Sequence, residues 1–398
     1  MDRRLLMLSL GMFAIGTDNF VVAGILPGVA DSLHTTVGLA GQMVTVYALS
    51  YAVMAPVMAA AAGSWSRKTL LISALGIFIV GNVITALATD LTTVLISRAL
   101  AGLGAAMFAL TAVGVAAVLG DPARRGRALA TVTAGLAAAT ALGSPVGTFI
   151  GGLGGWRSTL WFVAGLGAVS LAGIGALLHD IPQPARVNLR DRLAPLGNRR
   201  VALILLTSLF AFGGFLMVYT YAGLVLLPVT GGDARTLAGL LLVWGIAATA
   251  GNLVAGHLVD RFDTGKIVTI SLIVAIINFC ALPWTSLHLS TTLVALTIWG
   301  LIGWGLIVPQ QHRLVALAPA TAPLLLALNN TATYAGLASA GVLGGVVLLH
   351  VDARFLSWIG AGLITVALVL AVMTSARSAR QTDATMRQRP SLPDPAQH

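Results

Sequence analysis

The sequence predicts an all-α membrane protein with about twelve transmembrane helices in two six-helix halves, on three observations. Charged residues make up 9% of the 398-residue chain, against roughly 25% in soluble domains. Hydrophobic residues make up 57%, more than one or two soluble cores would hide at this length. They also fall in long runs such as Leu70–Leu87 and Leu356–Met373, each able to cross a hydrocarbon layer of about 30 Å as a helix.

Apolar runs between charged or Gly/Pro-rich breaks place the first six spans at 5–30, 38–62, 70–88, 91–119, 128–154 and 159–178. The second six fall at 201–227, 237–259, 267–286, 291–318, 324–349 and 355–375. The polar stretch 179–200 is the linker between an N-terminal half, 1–178, and a C-terminal half, 201–375. The tail 376–398 is rich in Arg, Gln and Pro and is expected to be disordered. The halves echo each other: Leu39-Ala40-Gly41 and Lys68 recur 198 residues on as Leu237-Ala238-Gly239 and Lys266. Internal repeats of this kind occur in many secondary transporters.

Orientation follows from the basic residues. With the N-terminus inside and the spans alternating, 19 of the 23 Lys and Arg fall on the cytoplasmic face, including Arg67, Lys68, Arg124, Arg125, Arg127, Arg261 and Lys266. Arg157, Arg235 and Arg354 fall outside, and Arg98 lies within a span. That asymmetry is the positive-inside pattern, and it puts both termini and the linker in the cytoplasm of a bacterial inner-membrane protein. It also accounts for the net charge of +10 without a nucleic-acid partner, because the bases are spread through short loops. Met1–Arg4 is basic, but the apolar stretch that follows is too long for a signal-peptide core and contains Asp18.

Enzyme signatures are missing. The chain has no phosphate loop, no HExxH, no paired Cys and no carboxylate run suited to two metals, so neither a cofactor nor a metal is expected. The single Cys280 sits in an apolar run and leaves no intramolecular disulfide. Trp156 and Trp284, near span ends, read as members of the aromatic belt.

All 13 acids are Asp, and Asp18 is the one acid inside a span. A bare charge there costs at least about 2.5–3.5 kcal/mol, so it persists where it faces a cavity or has a partner. Desolvation raises its proton affinity, which suits a proton carrier; a packing Asp bonded to a neighbouring hydroxyl is the plainer alternative. Arg98 enters its span from the opposite end and reaches a similar depth, about 20 Å from the cytoplasmic side for Asp18 and about 10 Å from the outer side for Arg98. Polar and aromatic side chains within spans are the substrate-site candidates: Asn19, Phe20, Gln42, Tyr47, Tyr219, Tyr221, Asn329, Asn330 and Tyr334. Aromatic faces with a few amides suit a neutral or weakly polar organic molecule. Gly143, Pro145, Gly147, Gly151 and Gly152 form a small-residue stretch that lets helices approach closely.

Four motifs carry a family resemblance. Gly256-His-Leu-Val-Asp260-Arg261-Phe-Asp-Thr-Gly265-Lys266 resembles the G-x-L-x-D-R-x-x-x-G-R/K cytoplasmic loop of the major facilitator superfamily. In the equivalent first-half loop only Arg67-Lys68 survives, and Ala62 stands where the Asp should be. Arg98-Ala-Leu-Ala-Gly102-Leu-Gly104 is similar to that superfamily's R-x-x-x-G-x-G pattern. Gly143-Ser-Pro145-Val-Gly147 is similar to the G-P-x-x-G antiporter motif with Ser144 inserted. Gly16-Thr-Asp18-Asn19-Phe20 and Gly155-Trp156-Arg157 resemble the branch of twelve-helix drug:proton antiporters that holds sugar, purine-nucleoside and amphenicol exporters. The resemblance implies a monomeric transporter that exports a small organic molecule in exchange for protons. It pairs Asp18 with Arg98 at the cavity, gives the Gly143–Gly152 stretch the role of sealing the cavity in one state, and has Asp260 and Arg261 brace the cytoplasmic gate. A proton-independent facilitator or an uptake symporter is the alternative, with an intramembrane enzyme or receptor more remote.

Overall fold

The computed structural model describes residues 2–61, 65–119, 125–179, 181 and 197–387. Most of the linker 179–200, Ala62, Arg124 and the tail beyond Arg387 lie outside the described residues. Twelve long helices cross the bundle. The first half holds α1 Arg3–Ser32, α2 Gln42–Ala61, α3 Arg67–Leu87, α4 Leu91–Leu119, α5 Arg125–Gly154 and α6 Trp156–Leu177. The second half holds α7 Arg199–Thr220, α8 Ala234–Val259, α9 Thr264–Thr285, α10 Leu289–Leu317, α11 Ala322–Val347 and α12 Leu356–Arg387. Eleven spans among the described residues are long and apolar enough to cross a membrane. The remaining helix, α11, carries Asn329, Asn330, Thr331, Thr333 and Tyr334, which lower its mean hydropathy.

Local chemistry sets the helix ends. Ser66, Asn198, Asp233 and Asp263 accept hydrogen bonds from the first-turn amides of α3, α7, α8 and α9, satisfying donors that a helix start leaves open. Outside the spans, the Thr93 amide and hydroxyl hold the Asp90 carboxyl below its usual range, and Thr236 with Arg235 does the same for Asp233. The seventh span ends sooner than 227, because α7 stops at Thr220 and two short turns, Ala222–Val225 and Leu227–Thr230, lead to left-handed Gly231 (φ 58°). The last helix runs past the expected end at 375, to Arg387. The Ala, Arg, Gln and Met residues there favour helix, so the start of the expected disordered tail continues α12.

The two halves repeat one packing scheme. In the first, α1 lies on α5 and α6, α3 on α4 and α6, and α2 on α4; in the second, α7 lies on α11 and α12, α9 on α10 and α12, and α8 on α10. The halves meet along two seams, α2 with α11 and α5 with α8. Backbones nearly touch in both. A Cβ on Gly38 would lie 2.9 Å from Gly345 O, and one on Gly245 would lie 2.8 Å from Ala141 Cα. Such close approach is how small residues bind helices where apolar burial gives little drive. The seam contacts run from mid-depth to the end opposite the termini: Gly152 against Ala234, Gln42 and Tyr221 bonded to Gly341, and Tyr51 stacked on Tyr334.

Candidate functional site

Asp18 and Arg98 form an ion pair in the middle of the first half. Arg98 Nη1 donates to Asp18 Oδ1 at 2.8 Å, and the side chains are 0% and 1% exposed. Helix geometry explains the meeting. A Cβ on Gly102, one turn beyond Arg98, would lie 3.1 Å from Tyr47 Cα, so α4 presses on the α2 backbone there. The guanidinium carbon consequently sits 4.6 Å from the centre of the Tyr47 ring, a cation–π contact in an apolar setting. Asn82 of α3 supplies a further acceptor, its Oδ1 3.3 Å from Arg98 Nη1. Asp18 Oδ2, Arg98 Nε and the Tyr47 hydroxyl are buried without a hydrogen-bond partner among the described residues. The pair is therefore tied by one strong bond and surrounded by unused polar capacity.

The sequence candidates divide three ways. Phe20 faces the second half, where its ring meets Tyr219 edge-on at 5.7 Å and Trp304 at 5.5 Å. Trp244 packs behind them at 4.4 Å from Tyr219 and 5.2 Å from Trp304. Tyr47 lies against Arg98 instead, and the half-buried Asn19 keeps its Oδ1 without a hydrogen-bond partner among the described residues. Asn330 and Tyr334 of α11 face Tyr51 of α2, with Asn330 Nδ2 3.4 Å from the Tyr51 hydroxyl and the two phenol rings stacked at 3.6 Å. Rings and amides of these two kinds suit a ligand with an aromatic or weakly polar body.

Gln42 and Tyr221 are placed differently. Gln42 Nε2 donates to Gly38 O and to Gly341 O across the seam, at 3.1 and 3.2 Å. The buried Tyr221 hydroxyl donates to the same Gly341 O at 2.8 Å. Both side chains are spent on closing α2 and α7 against α11. Asn329 points into the second half, accepting from Ser208 Oγ at 2.7 Å, and Gln310 Nε2 lies 3.4 Å from the same hydroxyl. Asp260 and Arg261 are exposed, and no side-chain bond ties them to another helix among the described residues. The neighbouring Asp263 does the structural work of that loop by capping α9. Trp156 is buried, stacked under Arg157 at 4.3 Å, so the aromatic-belt reading fails for it, while Trp284 is exposed.

The small-residue stretch lies against α1. Cβ atoms on Gly143, Gly147 and Gly151 would run into Thr17, Val21 and Ile25, three consecutive turns of α1, and one on Gly152 would reach Ala234 of α8. The inserted Ser144 has a structural counterpart. Residues Ala139–Gly143 form a π-turn, the form an α-helix takes when it absorbs an extra residue. The Ser144 hydroxyl then sits within bonding distance of Phe20 O, at 3.1 Å, and of the Tyr219 hydroxyl, at 2.8 Å. Sequence reasoning missed Asn82, Tyr51 and Ser208, because polar residues within apolar spans carry no sign of which neighbouring helix they meet. Among the described residues no cluster of His, Cys, Asp and Glu could hold a metal. A groove of about 460 Å³ between α9 and α10, lined by Val274, Asn278, Thr291 and Ile298, is remote from Asp18.

The Major Facilitator Superfamily profile matches residues 8–322. The chain belongs to the major facilitator superfamily. Its curated relatives span it almost fully. The uncharacterized MFS-type transporter YtbD of Bacillus subtilis (strain 168) is 32% identical over 371 residues, covering 92% of this chain and 93% of its own. The inner membrane transport protein YdhP of Escherichia coli (strain K12) is 31% identical over 380 residues, covering 95% and 97%. Among solved structures, the nucleoside transporter NupG superposes with a TM-score of 0.75 at 13% identity, covering 94% of this chain and 100% of that one. A D-xylose–proton symporter gives 0.75 at 16% identity, covering 93% and 96%. These likenesses show the fold: twelve helices in two halves. This major facilitator protein is thus a multi-pass membrane transporter of a small molecule and not an enzyme.

Proposed function

We propose that this transporter exports a small organic molecule from the cytoplasm in exchange for protons, by alternating access. The observation that carries the reading is the Asp18–Arg98 pair, fully buried and 2.8 Å apart. An ionisable pair within a membrane span is a functional feature by default, given its cost. Protonation of Asp18 neutralises it and loosens its hold on Arg98; deprotonation restores the pair. Proton binding thereby gains a differential free energy between conformations, which coupling requires.

The basic face supports a cytoplasmic position for both termini, and the relative YdhP is described as an inner membrane protein. With that orientation, the Gln42–Gly341, Tyr221–Gly341 and Tyr51–Tyr334 contacts close the outer side, which corresponds to an inward-facing state. The aromatic and amide residues Phe20, Asn19, Tyr219, Asn330 and Tyr334 are the proposed substrate surface, with Gln42 and Tyr221 assigned to the outer closure. The likeness of Gly143–Gly147 to the antiporter motif favours export, and the fold shared with a D-xylose–proton symporter makes uptake symport the second reading. Proteoliposomes with an imposed pH gradient, loaded in turn with labelled amphenicol, purine nucleoside and sugar, separate the readings. Substrate moving opposite to the protons supports export; movement with the protons indicates symport, and flux indifferent to the gradient indicates a facilitator.

A further inference from the structure

Asn82 of α3 is a third member of the Asp18–Arg98 site. Its side chain is fully buried, and its Nδ2 donates to Phe78 O at 3.0 Å. Phe78 O can only accept, so that bond fixes which end of the amide faces Arg98. Oδ1 is left pointing at Nη1, 3.3 Å away. The same Nη1 donates to Asp18 Oδ1 at 2.8 Å. One nitrogen is thus shared between a carboxylate and a neutral amide oxygen. Gly81 makes the approach feasible, since a Cβ there would lie 2.7 Å from Ala101 N and push α3 off α4.

We infer that Asn82 is a positioning residue that sets the proton affinity of Asp18, an inference that rests on Asp18 carrying the transported proton. With Asp18 ionised, the guanidinium has an anion in contact. With Asp18 protonated, the buried cation keeps Asn82 Oδ1 and the face of the Tyr47 ring, 4.6 Å away. A neutral acceptor therefore stabilises the protonated state more than the ionised one, because a buried cation without a partner is costly. The other titratable groups near the pair are phenols: Tyr47 and Tyr51 from α2 and Tyr334 from α11. Free phenols titrate near 10 and stay neutral where a carboxyl exchanges its proton. The described residues of α3, α5, α6 and α8 bring no acid, base or phenol to that depth. Asn82 is the polar group there that meets Arg98 in both states.

The two obvious substitutions act in opposite directions. Asn82→Leu removes the acceptor on which the protonated state depends, so Asp18 should take its proton only at lower pH. Asn82→Asp keeps the shape and adds a second carboxylate on the same cation, so the first proton should bind at higher pH, as in shared carboxylate sites. The probe needs no substrate: infrared titration of the purified protein in lipid, following the carboxylic C=O band that Asp18→Asn removes. The expected midpoint moves down by about one pH unit, tenfold in proton affinity, for Asn82→Leu, and up by a similar amount for Asn82→Asp. An Asn82→Leu midpoint within about 0.3 unit of wild type, or one shifted upward, would overturn the inference whatever Asn82→Asp does, since an added carboxylate raises the midpoint by itself. If Asn82→Leu does not fold, Asn82→Ala, which also removes the acceptor, decides in its place. A wild-type protein whose Asp18 band never titrates would instead remove the proton-carrier reading itself, and this inference with it.

Discussion

Tyr51 of α2 and Tyr334 of α11 stack face to face across the boundary between the halves, with ring centroids 3.6 Å apart and planes 8° from parallel. An aromatic pair contributes about 0.5–1.5 kcal/mol beyond its burial, and under the proposed alternating access this one is made only while the α2–α11 seam is closed. Tyr334→Leu should therefore shift the protein toward the state open at the seam end. In a variant lacking Cys280, a cysteine placed at Thr45 should react with an impermeant thiol reagent about 2- to 10-fold faster once Tyr334 is replaced. An unchanged rate would mean that the stack forms in both states.

Gly147 makes a prediction about packing. A Cβ there would lie 2.5 Å from Val21 Cγ2 and 3.2 Å from Thr159 Cγ2, and the branched Val21 has little rotamer freedom in a helix. Gly147→Leu should abolish transport while leaving an inserted, monodisperse protein. Gly147→Ala should impair it less, and Val21→Ala on top of Gly147→Ala should recover much of the activity. Full transport by Gly147→Leu would remove the tight-contact account.

The helix starts at Asp90 and Asp233 should respond to acid. Both carboxyls are held below their usual range by threonine hydrogen bonds. A depressed folded-state value stabilises above the unfolded one, near 3.9, and the effect is lost as pH falls through the folded value. Amide exchange at Thr93 and Thr236, corrected for intrinsic rate, should thus accelerate below about pH 4 relative to pH 6. Protection unchanged down to pH 2 would contradict the capping role.

Topology is tested from outside the cell. Cysteines placed in 179–200 and 376–398 should escape an impermeant reagent if the N-terminus is cytoplasmic, the orientation that puts 19 of the 23 basic residues on the inner face. Efficient labelling at either segment would invert the orientation.

The sequence shows those features that depend on one helix at a time. Span order, the six-plus-six layout and the matching depth of Asp18 and Arg98 follow from hydropathy and helical rise. The partners of Arg98 do not. Asn82 is a single amide in an apolar run, its Nδ2 bonded back to Phe78 O within its own helix, and only the contact of Gly81 with α4 brings its other end to Arg98. Gln42 and Tyr221 were recognisable as polar residues within spans, but their shared acceptor is a backbone carbonyl, Gly341 O. No side-chain pattern marks an accessible carbonyl. Ser144 reads in sequence as a departure from a motif, while in the folded helix the extra residue is taken up by a π-turn whose i-to-i+5 bonds have no compositional signature.

Whether Asp18 carries the transported proton is measured most directly by uphill export by Asp18→Asn in proteoliposomes under an imposed proton gradient. Asn keeps the volume and hydrogen-bonding capacity of protonated Asp18 but cannot titrate. The variant should still bind substrate and exchange it downhill, yet fail to concentrate it against its gradient. Wild-type levels of uphill export by Asp18→Asn would make the buried pair with Arg98 a structural feature and contradict the coupling mechanism.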